Sequence, residues 1–157
     1  MNIWLIMSGE PLEMFGERPH RIGILSKMLV DEGHQVTWWT TTYDHQHKKY
    51  FFHEDTEMKS NSGVKMFFLH PRMPYKKNIS FQRIINYKQV SLKFKKHSEM
   101  KEKPDLILCA FPSIDLSCSN GRNLAEPAGQ QGMRPFRRRG NRCPVSRIWQ
   151  RYVDLSD

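Results

Sequence analysis

Side chains that could carry out proton transfer follow the second predicted strand of the chain. Asp44 and His45 are adjacent, and His47 comes two residues later. A carboxylate can orient an imidazole so that it acts as a general base, and we therefore take Asp44 and His45 as the catalytic candidates. The two histidines could also bind a metal, but two ligands without a third do not complete a site, so we expect none. Ordinary loop residues are the remaining interpretation.

A second group of candidates follows the first predicted strand. Gly9 would allow backbone amides to approach a phosphate or a sugar, Glu10 could supply a carboxylate, and Gly16 lies further along the same loop. Arg18 and Arg21 open the first predicted helix, whose N-terminus favours an anion. We predict a contact with a pyrophosphate, a lipid phosphate or a sugar here. The alternatives are a plain turn, solvated glutamates and salt bridges on the helix surface.

A third group, Phe111, Pro112 and Ser113, closes the last predicted strand. The carboxyl ends of parallel strands meet at one edge of a sheet, where α/β proteins bind their ligands. The three groups should therefore face one cleft, and we include Phe111, Pro112 and Ser113 among the substrate-binding candidates.

The elements that must position these groups begin with a βαβ unit. Asn2–Met7 is apolar on both sides and is typical of a strand covered on both faces of a parallel sheet. The next apolar residues are spaced by three and four positions, which predicts a helix with one apolar stripe made of Ile22, Leu25, Met28 and Leu29. Gly33 suits a left-handed helix end, and 36–42 is a second strand, with a right-handed crossover between the two strands.

The remaining elements extend the same alternation. Residues 43–62 are polar and predict a long loop, residues 64–69 a third strand, and 105–111 a fourth strand of the buried type. Ser80 can cap a helix that continues to about Lys101. The sequence therefore predicts an α/β fold, a Rossmann-like parallel sheet with flanking helices.

The chain changes character near Cys118. All eight basic residues after it are arginines, whereas most of those before it are lysines, and Gly or Pro recurs every few residues. We therefore divide the chain into residues 1–118, an incomplete α/β domain, and 119–157, an irregular or disordered tail. A frameshift near Cys118 is our hypothesis for the change.

The charge and the N-terminal sequence indicate where the chain is located in the cell and which partners it could bind. The 157 residues carry a net charge of +9, and the first eight residues are too short to be a signal peptide or a membrane span. We expect a cytoplasmic chain that can associate peripherally with the inner membrane. The lysines between Lys76 and Lys96 could attract anionic lipid head groups, or could simply form a solvated face.

Cys109, Cys118 and Cys143 have no metal-ligand spacing and are interpreted as buried thiols.

Three runs of residues resemble a known family. NIWLIMSGEPL, RIGILSKMLVDEGHQVTWWTTTYDHQHKK and KPDLILCAFPSIDLS are similar to the N-terminal half of a GT-B glycosyltransferase of family 4. The match is to bacterial enzymes of O-antigen and capsule assembly, of the L-fucosamine transferase type. The resemblance covers about residues 1–117.

The resemblance implies a function. Such enzymes receive a lipid-linked sugar acceptor at the inner membrane surface on the N-terminal domain, and hold a nucleotide-sugar donor on a C-terminal domain. The donor-binding residues have no counterpart here, so we expect this chain to be inactive alone, with no covalently bound cofactor.

Two other functions compete with the glycosyltransferase interpretation. A non-catalytic binding module could use the basic tail on nucleic acid or on an anionic membrane, but the tail has no recognisable nucleic-acid-binding fold. A dinucleotide-dependent oxidoreductase would need a G-x-G-x-x-G turn, which Ser8-Gly9-Glu10-Pro11 does not supply.

Overall fold

The computed structural model describes residues 1–77 and 79–109. Within them, five strands form one sheet and two helices pack against it. The elements in chain order are β1 (Asn2–Ile6), α1 (Arg21–Asp31), β2 (Gln35–Thr41), β3 (Tyr43–Asp44), β4 (Lys49–Tyr50), β5 (Thr56–Lys59), β6 (Lys65–Leu69), α2 (Phe81–Glu99) and β7 (Leu106–Cys109). A short 3-10 turn, Glu13–Phe15, interrupts the loop between β1 and α1.

The sheet has the strand order β5-β6-β2-β1-β7. β6, β2, β1 and β7 are parallel, so that Ile3 of β1 lies beside Val36 on one side and Leu106 on the other. Taken in chain order, these four strands are arranged 3-2-1-4, which is the order of the corresponding strands in the classic doubly wound fold. The predicted α/β class is confirmed.

The prediction of a wholly parallel sheet is wrong, because β5 pairs with β6 in the antiparallel direction. A tight turn forces this pairing. The N–H of Ser60 donates to the carbonyl of Val64, the N–H of Gly63 donates to the carbonyl of Ser60, and Gly63 has a φ of +86°. Glycine adopts this left-handed conformation without steric cost, so the chain reverses and the sheet is mixed.

Both faces of the sheet are buried, as the apolar run in β1 predicted. Ile3 and Leu5 point into a cluster on the α1 side, which includes Leu29 of that helix. Trp4 and Ile6 point into a second cluster on the α2 side. Successive side chains of a strand alternate between faces, so each of the four parallel strands contributes to both clusters.

The predicted helix ends are confirmed. Gly33 follows α1 with a φ of +81°, and its N–H donates to the carbonyl of Val30. Ser80 caps α2, because its Oγ accepts a hydrogen bond from the N–H of Arg83 at 3.2 Å. The helix ends at Glu99, two residues before the predicted limit.

Two other predictions are wrong. Residues 43–62 were predicted to be a loop, but they contain the β3–β4 hairpin and the edge strand β5. Cys109 was predicted to be buried, but it is exposed at the end of β7, which is the outer strand of the described sheet. Phe111, Pro112, Ser113, the other two cysteines and the tail 119–157 lie outside the described residues.

Among the described residues, no helix combines the length and the apolar character needed to cross a bilayer.

Candidate functional site

A cavity of about 130 Å³ opens at the carboxyl ends of β1 and β2. Its walls come from the loop that follows β1 and from the β3–β4 hairpin that follows β2. The lining residues are Gly9, Glu10, Pro11, Leu12, Phe15, Glu17, Thr40, Thr41, Tyr43, Asp44, His45, Gln46, His47, Lys49 and Phe51. Because the hairpin directly continues β2, the position of its polar side chains is fixed by the sheet.

The hairpin turn is organised by the carboxylate of Asp44, which is buried. Its Oδ1 accepts hydrogen bonds from the backbone N–H groups of Gln46 and His47, at 2.8 and 3.1 Å. Burial by itself would raise the pKa of Asp44, but these bonds, together with the His47 side chain, lower that pKa below its usual value. Asp44 is therefore ionised at neutral pH.

The imidazole that Asp44 binds is that of His47. The Nδ1 of His47 lies 2.7 Å from the Oδ2 of Asp44. In the neutral imidazole the carboxylate favours the tautomer with the proton on Nδ1, and Nε2 is then an acceptor. The imidazole is half exposed and lines the cavity, so the pair can accept a hydrogen bond or a proton from a ligand hydroxyl.

The adjacent residue, His45, has a different partner from the one we predicted. Its Nδ1 lies 2.7 Å from the hydroxyl of Tyr75, and Asp44 is not its hydrogen-bond partner. Burial lowers the pKa of His45, and the positive charges of Lys48 and Arg83 lower it further. At neutral pH this imidazole is therefore neutral.

Buried tyrosines support this side of the cavity. The hydroxyl of Tyr43 donates to the backbone carbonyl of Tyr75, and the two rings are 4.7 Å apart. Tyr75 is buried, and burial raises the pKa of its phenol. The loop after β6 is in this way joined to the hairpin, and it orients His45.

Glu10 has a structural role that the sequence did not reveal. Its carboxylate oxygens lie 3.1 and 3.3 Å from the backbone N–H of Ile22 in the first turn of α1. The N-cap residue of α1, His20, makes no side-chain hydrogen bond to this helix end. Burial raises the pKa of Glu10, while the hydrogen bonds from Ile22 and Gly23 oppose this effect. The carboxylate thus fills the helix end at which we predicted an external anion.

The structure brings together some of the predicted site residues. Gly9, Glu10, Asp44 and His45 all line the cavity, and a Cβ added to Gly9 would lie 3.6 Å from the Cβ of His45.

Other predicted site residues lie elsewhere. Gly16, Arg18 and Arg21 are exposed and do not line the cavity, and Phe111, Pro112 and Ser113 lie outside the described residues.

Sequence reasoning missed the tyrosines and the role of His47. Tyr75 is 30 residues from His45 along the chain, and no local pattern links the two. The Asp44–His47 spacing was a usable signal, because an Asp that begins a turn can bond to groups two and three residues later.

Residues 1–77 and 79–109 contain no group of three or more His, Cys, Asp or Glu side chains placed to hold a metal ion. His45 and His47 are directed instead to Tyr75 and Asp44.

Comparisons of this chain with family models, with curated proteins and with solved structures gave no match.

Proposed function

We propose that this chain is the acceptor-side α/β domain of a glycosyltransferase that assembles bacterial surface polysaccharide, such as O-antigen or capsule. In the complete enzyme a sugar would pass from a nucleotide-sugar donor to a hydroxyl of a lipid-linked acceptor. The resemblance of residues 2–47 and 103–116 suggests this reaction. The 3-2-1-4 order of the parallel strands is compatible with one Rossmann-like half of a GT-B fold.

The observation that carries the proposal is the Asp44–His47 pair on the wall of the cavity. A sugar acceptor must present a hydroxyl to the donor carbon and lose its proton during transfer. His47, held by an ionised carboxylate, can accept a hydrogen bond or the proton from that hydroxyl. Asp44 fixes the orientation of the imidazole and stabilises its protonated form.

The size of the cavity supports an acceptor sugar as the ligand. At about 130 Å³ it is smaller than the roughly 300–1,000 Å³ of pockets that enclose a whole drug-sized molecule. It mixes aromatic side chains with hydroxyl and charged groups, among them Phe51, Thr41 and Lys49. These are groups that can contact the faces and the hydroxyls of one sugar ring.

Binding of an acceptor analogue tests this proposal. The probe is a water-soluble sugar attached through pyrophosphate to a short prenyl chain, titrated into the full chain and followed by NMR and calorimetry. We expect saturable binding that His47→Asn and Asp44→Asn each weaken about tenfold, which corresponds to about 1.4 kcal/mol.

The matched control is His34→Asn. His34 precedes β2 and therefore lies at the opposite end of the sheet from the cavity, so this variant should bind as the unmodified chain does. Equal losses in His34→Asn and His47→Asn, or no saturable binding, would contradict the proposal. Salt-dependent binding to duplex DNA without acceptor binding would favour the alternative, a binding module that uses the basic tail.

A further inference from the structure

The outward side of α2 carries large apolar side chains that the core does not use. Phe81 is 75% exposed, Ile84 54% and Leu92 58%, and Ile79, just before the helix, is 95% exposed. The helical residues are separated by three and eight positions, so they lie on one stripe. Exposed apolar residues scattered singly are common, but three on one helical stripe, with Ile79 two residues ahead of it, form the kind of apolar patch that marks interaction sites.

Basic side chains surround and interrupt this stripe. Lys88 and Lys95 fall on the stripe itself, and Lys76 and Lys77 lie beside Ile79, all four with exposed side chains. Residues 71–98 include no Asp or Glu. Their basic residues are Arg72, Lys76, Lys77, Arg83, Lys88, Lys93, Lys95 and Lys96. The surface is therefore complementary to an anionic partner.

The shape of the surface favours a bilayer. From Phe81 to Lys95 the helix is about 21 Å long, at 1.5 Å per residue. Its opposite side packs on the sheet through Val90 and Phe94, so the stripe faces away from the protein. A helix with apolar and lysine side chains on its free face can lie in the plane of a membrane surface, with the apolar groups inserted between lipid head groups.

This surface adjoins the candidate site. Tyr75, whose hydroxyl contacts His45, is directly followed by Lys76 and Lys77. The guanidinium of Arg83, in the first turn of α2, lies 5.9 Å from the centre of the Tyr75 ring. The loop after β6 thus connects the cavity to the start of the stripe.

We propose that Ile79 and the stripe Phe81-Ile84-Lys88-Leu92-Lys95 form a membrane-docking surface specific for anionic bilayers. The apolar side chains enter the head-group region, and the lysines contact lipid phosphates. This inference deepens the proposed function, since a lipid-linked acceptor would then emerge from the membrane beside the cavity. It is nevertheless tested without any sugar or acceptor.

Vesicle co-sedimentation of the full chain tests the proposal. The vesicles are either phosphatidylcholine alone or phosphatidylcholine mixed with phosphatidylglycerol. We expect binding to the anionic vesicles only. The double variant Ile79→Ser/Phe81→Ser should bind at least about tenfold more weakly, because apolar insertion is lost while the net charge is unchanged. Lys76→Gln/Lys77→Gln should weaken binding and reduce its dependence on salt.

Ile24→Ser is the matched control. Ile24 is an exposed apolar residue of α1, on the other face of the sheet, and a flat membrane cannot contact both helices. This variant should bind as the unmodified chain does. Circular dichroism verifies that each variant is folded, which is expected because the substituted side chains are exposed.

Two results would overturn the proposal. One is equal vesicle binding by the unmodified chain and Ile79→Ser/Phe81→Ser, which would assign the attraction to charge elsewhere in the chain. The other is concentration-dependent dimerisation that Phe81→Ser abolishes, seen by sedimentation equilibrium, which would make a second copy the occupant. Vesicle binding without acceptor-analogue binding would contradict only the proposed function, and the reverse result would contradict only the docking surface.

Discussion

The two faces of the sheet are packed in different ways. On the α1 face the buried cluster is mainly aliphatic, and Ile22, Leu25, Met28 and Leu29 of the helix all contact it. On the α2 face the cluster is mainly aromatic, and the 19-residue helix contributes only Val90 and Phe94 to it. The longer helix is therefore attached to the sheet by fewer apolar side chains.

Polar contacts complete the attachment of α2. Asp55, just before β5, binds Lys93 at 2.7 Å and His97 at 3.2 Å, and it also accepts the backbone N–H of His70 at 2.7 Å. The buried amide of Asn86 donates to the carbonyl of Met73 at 2.7 Å. Directional polar bonds, more than apolar packing, therefore orient α2. Its remaining apolar residues are consequently free to form an outer surface.

The largest expected effect comes from removing the aromatic anchor of α2. Phe94→Ala should lower the free energy of unfolding by about 3–5 kcal/mol, because few neighbouring side chains can fill the space. Leu29→Ala should cost less, about 2–3 kcal/mol, since the adaptable side chains of Met14 and Met28 lie against the same cluster. Urea denaturation of the full chain measures both values. A larger loss of stability in Leu29→Ala than in Phe94→Ala would contradict the view that the α2 face depends on fewer apolar contacts.

Removing the charge of Asp55 should have an intermediate effect. Burial alone would raise its pKa, but hydrogen bonds from Lys93, from the N–H of His70 and from His97 lower that pKa below the usual value. Asp55→Asn should cost about 1–2 kcal/mol at pH 7, because charge-assisted bonds are lost from a partly exposed site.

The stabilisation by Asp55 should depend on pH in a defined direction. A carboxyl group whose pKa is lower in the folded state contributes its full stability above its unfolded pKa of about 3.9, and this contribution is lost as the pH falls through the folded pKa. The difference between the unmodified chain and Asp55→Asn should therefore be constant from pH 7 to 5 and shrink below about pH 4. A difference that stays unchanged below pH 4 would show that Asp55 does not act as a paired anion.

The smallest expected effect is a difference in stability between variants of two adjacent tryptophans, which lie on opposite faces of the sheet. The Nε1 of Trp38 donates to the carbonyl of Met7 at 3.0 Å. The Nε1 of Trp39 is buried and has no hydrogen-bond partner among the described residues. Trp38→Phe and Trp39→Phe remove similar ring volumes, so Trp38→Phe should cost about 1 kcal/mol more. Equal losses of stability in thermal melts would mean that the indole bond to Met7 contributes nothing.

The main elements of the fold could be predicted because their signals are local. The apolar run of β1, the stripe of α1, the Gly33 helix end and the Ser80 cap each lie within one element. The edge strand β5 could not be predicted in this way. Its sequence, TEMK, is half charged, and it is a strand because the turn at Gly63 places it beside β6.

The sequence predicted where the candidate site lies, but it predicted few of the contacts within the site. The rule that ligands bind at the carboxyl ends of parallel strands brought Gly9, Asp44 and His45 to one edge. It could not indicate which histidine would meet Asp44, because that depends on the turn between β3 and β4. Nor could it indicate Tyr75, whose contact with His45 arises only when the loop after β6 packs on the hairpin.

The bond from Glu10 to the start of α1 has a consequence for ligand selection. A phosphate that approached this helix end would have to displace a carboxylate tethered only 12 residues away along the chain. Such tethering keeps the effective concentration of the internal anion in the millimolar range or above, so dilute free anions cannot compete for the two amides. The helix end therefore rejects ordinary anions, and only a ligand that is held by other contacts at the same time could replace Glu10.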